Sequence, residues 1–124
     1  MLALSSVFKA LILSAALVSW TVATSRTITV LASRSCAQWV EDKRSAALEG
    51  TTGSAWFTVA LNRRWLLGYV SGLNAAYPSD KNLLAAVNAA IVEEWIDKYC
   101  AQNPKKDLID GAERLMAELA KIAG

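Results

Sequence analysis

From about residue 35 onward the hydrophobic positions recur with helical spacing. The longest unbroken run is Trp56–Tyr77, WFTVALNRRWLLGYVSGLNAAY. Within it Leu66, Val70, Leu73 and Tyr77 recur at steps of four, three and four, which places them on one face of a helix of about six turns. Ser54 suits the N-cap and Pro78 forbids continuation. Gly68, Gly72 and Ala76 form a second row at steps of four, with almost no side chain. That row suits a helix packed at close range, within the chain in preference to a dimer seam. Trp65 and Tyr69 flank it. The polar step Asn62-Arg63-Arg64 reads as a solvated turn. Its alternative is a contact surface, since arginine beside Trp65 is a common interface pairing.

Three shorter helices complete the pattern. Ser35-Cys-Ala-Gln38 fits a capping box and opens a helix to about Ala47, with Cys36, Trp39 and Val40 inward and Glu41, Asp42, Lys43 and Arg44 toward water. Glu49-Gly50-Thr51-Thr52-Gly53-Ser54 is a loop, without the lysine or preceding strand of a phosphate-binding loop. After the turn Pro78–Asn82, Asp80 could cap a short helix through Leu83, Leu84 and Val87, or Asn88 could cap a fresh start. The next helix carries Ile91, Val92, Trp95, Ile96, Tyr99 and Cys100 on a wide buried arc. Glu93, Glu94, Asp97 and Lys98 mark its wet side, and Glu94 and Lys98 are ordered for an i,i+4 pair. Asn103 as N-cap and Pro104 at the first helical position open the last helix. Its stripe is Leu108, Ala112, Leu115, Leu119 and Ile122, with Asp110, Arg114 and Glu118 outside. The fold class is therefore all-α: one four-helix domain over residues 35–124, with short loops and no strand.

The N-terminus has a different character. Residues 1–25 read as a secretory signal peptide: Lys9 precedes the apolar run Ala10–Val18, and Ala23-Thr24-Ser25 offers cleavage before Arg26. The run to Ala23 is short of the roughly 20 residues of a spanning helix. An uncleaved anchor is the alternative, and then the only expected membrane contact. Residues 26–34 form an extended or disordered arm. This segment inflates the apolar content of 54%. Setting Lys9 aside leaves 12 basic against 11 acidic residues, a charge of +1 with the two signs interspersed. That leaves no basic stripe for nucleic acid.

Export bears on the two cysteines, Cys36 and Cys100, an even count that reads as one disulfide; the bland alternative is two buried thiols. Histidine is absent, which removes the ordinary Ser–His and Cys–His nucleophile pairs, and two distant cysteines are no metal-ligand set. Glu93 and Asp97 at i,i+4 read as a solvated face, not a general acid and base. Trp39, Trp65 and Trp95 read as packing, and Trp56 as the exposed tryptophan. No enzyme activity, cofactor or metal is expected.

Two resemblances follow from motifs already quoted. Ser35-Cys36-Ala-Gln-Trp39 with Tyr99-Cys100-Ala-Gln-Asn103-Pro104-Lys-Lys-Asp-Leu108 resembles the HdeA/HdeB family of small periplasmic acid-stress chaperones. That resemblance implies an all-helical fold with Cys36 paired to Cys100. Trp65-Leu-Leu-Gly68-Tyr69-Val-Ser-Gly72, with the Asn103-Pro104 step, is similar to the Rap/Tai immunity proteins, periplasmic antidotes to cell-wall amidases. Neither resemblance implies a catalytic residue. Three functions are expected in turn. The first is a periplasmic acid chaperone, whose charge rises to about +12 when its carboxylates protonate. The second is an immunity protein that plugs an enzyme's cleft with Glu49–Ser54 and Trp56. The third is an accessory part of an envelope assembly. The expected partner is another protein, a client or an effector enzyme, or a second copy in a homodimer.

Overall fold

The computed structural model describes residues 29–124. The expected signal peptide and the first residues of the arm lie outside that range. Four helices follow one another: α1 (Cys36–Glu49), α2 (Ser54–Ala75), α3 (Ala89–Gln102) and α4 (Leu108–Ala123). Among the described residues there is no strand beyond an isolated antiparallel bridge between Ser35 and Asp107. The all-α expectation holds. No helix among these residues is long and apolar enough to cross a membrane.

Local signals explain the boundaries. Ser35 and Gln38 form the expected capping box, which satisfies the first turn of α1. Gly50 ends α1 with φ +74°, a left-handed conformation that glycine adopts without a Cβ clash. α2 begins at Ser54 itself, with Gly53 as N-cap, and so starts one residue earlier than the expected cap implied. Asn88 caps α3 by accepting from the Ile91 N–H, so the fresh start at Asn88 is realised and the residues after Asp80 stay non-helical. Asn74 fastens that connection: its side chain accepts from the Leu83 N–H at 2.8 Å and donates to Asn82 at 2.9 Å.

The start of α4 differs from expectation. Asn103 and Pro104 do not open it. Asn103 closes α3, its amide donating to the Tyr99 carbonyl at 2.8 Å. Asp107 is the N-cap, in a reciprocal capping box with Asp110. Backbone pairing supports this choice, because the Cys36 N–H donates to the Lys106 carbonyl and the Leu108 N–H to the Arg34 carbonyl. The end of the arm is thus extended and ordered by contact with the α3–α4 connection.

α1 packs on α2 and α3, and α4 covers the other side of the same two helices. The core they enclose contains Trp39, Leu66, Val70, Ile96, Leu108, Ala112 and Leu115, all buried. Cys36 and Cys100, both buried in this core, are bonded to each other, with Cα atoms 4.7 Å apart across 64 residues. The expected bridge is present. Gly111 lets α4 approach α3 closely, since a Cβ there would lie 2.9 Å from Ile96 Cδ1 and 3.1 Å from Tyr99 Cδ1. Three expected core positions face outward instead: Val40, Ile91 and Ile122 are 42%, 44% and 83% exposed. Each lies on a flank of its helix that no fifth element covers.

Closing a loop of this length stabilises the fold by about 4 kcal/mol through the entropy of the unfolded chain. Replacing Cys36 and Cys100 by alanine should therefore lower the melting temperature by roughly 15–30 °C, measured by circular dichroism. An unchanged melting curve would remove the bridge from the account of stability.

Candidate functional site

Two features stand apart from ordinary core packing: one joins α1 and α2 to α3, and the other is the outward face of α2. The first is a polar clasp. Trp39 and Lys43 are one turn apart on α1, and Glu93 and Asp97 one turn apart on α3. The disulfide aligns the two helices so that these pairs meet. The Trp39 indole is completely buried and donates to Asp97 Oδ1 at 2.8 Å, which satisfies the one polar atom of an otherwise apolar side chain. Lys43 Nζ reaches Glu93 at 2.9 Å and also Asp97, and it lies 5.4 Å from the Trp39 ring centre. Arg63 of α2 grips the same Glu93 carboxylate with two nitrogens, the longer contact being 2.8 Å. Arg34 grips Asp42 in the same two-pronged way at 2.8 and 2.9 Å, fastening the arm to α1.

These contacts correct the expected wet faces. Asp42, Lys43, Glu93 and Asp97 are not simply solvated, and Arg63 is not part of a free polar turn. Each meets an opposite charge on a neighbouring element. Glu94 and Lys98 do behave as read, pairing at 2.7 Å in water. The clasp sets the protonation of its members. Hydrogen bonding to Arg63, then to Lys43, holds the Glu93 carboxyl below the usual carboxylate range against the opposing effect of burial. Burial pulls Lys43 down, but its bonds to Asp97 and Glu93 outweigh that and leave it raised.

The second feature is the outer face of α2. Phe57, Leu61, Arg64, Gly68 and Gly72 recur at steps of four, three, four and four, and all five are exposed. Phe57 is 60% and Leu61 50% exposed, beside Trp56 at 43% and Leu48 at 76% on the adjoining end of α1. The glycine row is therefore not an intramolecular seam: a Cβ at Gly68 or Gly72 would meet nothing within 4 Å. Trp65 and Tyr69 stack on each other with ring centres 5.3 Å apart and pack partly against the core. The Tyr69 hydroxyl donates to Glu113, and burial, then this bond, pushes its pKa up to about 12.

The residues expected as a partner surface lie at the α1–α2 connection. Glu49 to Ser54 connect α1 and α2, and Trp56 follows in the first turn of α2. Glu49 accepts from the Ala55 N–H at 3.3 Å, tying the loop to the helix start. Asn103 and Pro104 lie apart from it, in the α3–α4 connection. Phe57 and Leu61 were missing from the sequence reading, although their spacing to Gly68 and Gly72 already placed them on one face. Among the described residues no group of three or more His, Cys, Asp or Glu side chains is arranged to hold a metal ion.

Comparison with known proteins adds no relative: no family model, curated protein or solved structure matches the chain.

Removing one charge of the clasp tests its weight. Glu93→Gln leaves Lys43 and Arg63 with a weaker acceptor and should cost about 1–2 kcal/mol at neutral pH. It should also flatten the acid limb of a stability–pH curve, read by chemical denaturation. The open glycines give the opposite sign: Gly68→Ala and Gly72→Ala should each stabilise α2 by about 0.5–1 kcal/mol, visible as a higher melting temperature.

Proposed function

We propose that this chain is an exported, non-catalytic protein-binding domain of the acid-chaperone kind, with α2 and the α1–α2 tip as its binding surface. The observation that carries this reading is that the Glu93 clasp fastens α3 to α1 and α2, the two helices that carry the exposed Leu48, Trp56, Phe57 and Leu61. Glu93 is held below its ordinary range, so the stability it contributes is complete above the unfolded value of about 4.3. That stability is lost as the pH falls through the lower folded value. Protonation of Glu93 then releases Arg63, which joins α2 to α3, and leaves Lys43 held by Asp97 alone, while the accumulated positive charge pushes the helices apart. The disulfide keeps the loosened chain from separating completely. Trp56, Phe57, Leu61 and the newly uncovered core faces supply apolar area for unfolded clients. An internal disulfide, and the absence of a membrane-crossing helix among the described residues, fit export.

A second reading draws on the tip itself. Trp56, Phe57 and Leu48 are already exposed in the folded state, at the end of a hairpin that projects from the bundle core. An exposed apolar tip of this kind suits insertion into an enzyme's cleft, as an immunity protein requires.

The two readings separate by pH. The chaperone reading expects suppression of client aggregation, followed by light scattering, at about pH 2–3 but not at neutral pH. Trp56→Ser combined with Phe57→Ser should weaken that protection. Loss of protection in the unmodified protein at every acid pH would sink this reading. Neutral-pH capture of an envelope hydrolase, abolished by the same two substitutions, would establish the second.

A further inference from the structure

A groove of about 440 Å³ runs between α3 and α4, on surface that neither the clasp nor the hairpin uses. We propose that it is a binding site for a neutral saccharide. Its α3 wall is aromatic. Trp95 and Tyr99 are one turn apart and stack on each other, with ring centres 5.4 Å apart and planes inclined by 13°, as a half-buried aromatic pair along the groove. Gly111 creates this wall, because its missing side chain is what lets the Tyr99 ring lie against α4. The rest of the lining is polar: Lys98, Gln102 and Asn103 from α3 and its end, and Arg114 and Glu118 from α4. A volume in this range holds small-molecule ligands, with an apolar wall for contact area and a few polar groups for orientation.

The charges select against an ionic ligand. Arg114 pairs with Glu118 at 2.8 Å, and the neighbouring Lys98 with Glu94 at 2.7 Å. Glu118 also takes Lys121 at 3.2 Å, so an anion entering the groove meets a carboxylate already shared by two cations and must displace it to gain a partner. The hydrogen-bonding groups remain available. The Asn103 amide nitrogen is committed to the Tyr99 carbonyl, which fixes the amide plane and leaves its oxygen as an acceptor. Among the described residues neither the Trp95 indole N–H nor the Tyr99 hydroxyl has a hydrogen-bond partner, and no buried polar side-chain atom lacks one, so both are open to solvent. The Arg114–Glu118 pair and the Gln102 amide present planar donors and acceptors that match adjacent hydroxyl groups. A purely apolar ligand would strand these groups without partners. A pyranose ring has a flat C–H face for the aromatic strip and hydroxyls around its rim. It satisfies both walls at once.

The test is a titration of the purified protein with chitotriose, maltotriose and cellotriose, followed by ¹H–¹⁵N NMR. Binding should shift the Trp95 indole resonance together with the Asn103 and Gln102 side-chain amides. Gln102→Ala and Arg114→Ala lie on the exposed rim, so they should leave the melting temperature unchanged. Each should weaken the interaction by about tenfold. Uridine, benzoate and inorganic phosphate serve as comparison ligands. The proposal is overturned if no trisaccharide shifts these resonances, if the shifts map elsewhere, or if a comparison ligand binds as tightly as the best sugar.

Discussion

A covalent bond between the first turn of α1 and the last turn of α3 decides where the other interfaces fall. With Cys36 and Cys100 joined, the two helices run alongside each other from that point, so Trp39 meets Asp97 and Lys43 meets Glu93 one turn at a time. The backbone bonds from Cys36 to Lys106 and from Leu108 to Arg34 tie the arm and the start of α4 to the same corner. A domain of this size has little apolar area to spare. Fixing one corner removes enough disorder from the unfolded chain for a modest core of Trp39, Leu66, Ile96 and Leu108 to hold the rest together.

The bundle spends its polar and apolar surface unevenly. Opposite charges that elsewhere would face water are drawn between helices, around a tryptophan whose one polar atom needs an acceptor. Apolar residues that elsewhere would be buried stand outside, along α2. Val59 is buried yet lies apart from the main core, so the first turns of α2 rest chiefly on α1.

Much of this was legible in the chain. Four helices follow from periodicity and from caps such as Ser35–Gln38 and Asn88, and the pairing of the only two cysteines needed no geometry. The start of α4 was not legible. Asn103 and Asp107 are both good caps, and the choice fell to Asp107 through its reciprocal bond with Asp110 and the backbone pairing beside it. The glycine row shows a further limit. Its spacing defined a face of α2, but spacing does not say whether that face looks inward, and the larger apolar stripe with Leu66 and Val70 took the core. Glu93 and Asp97 were misplaced for the related reason that a one-dimensional pattern marks a charge as polar without revealing the counter-charge on another helix. The groove between α3 and α4 depended on Gly111, an unremarked residue whose effect exists only once two helices approach.

The position of the disulfide along the chain also divides the molecule topologically. Residues 36–100 form a closed ring that contains α1, α2 and α3, whereas α4 hangs on an open tail. α4 brings Leu108, Ala112, Leu115 and Met116 to the core without any covalent hold beyond its own N-terminal connection. When the bundle loosens, the ring can swell only to its own circumference, but the tail is free to leave. Without α4, Leu66, Val70 and Ile96 would lose their neighbours Leu108, Ala112 and Leu115, while residues 36–100 would stay closed by one bond.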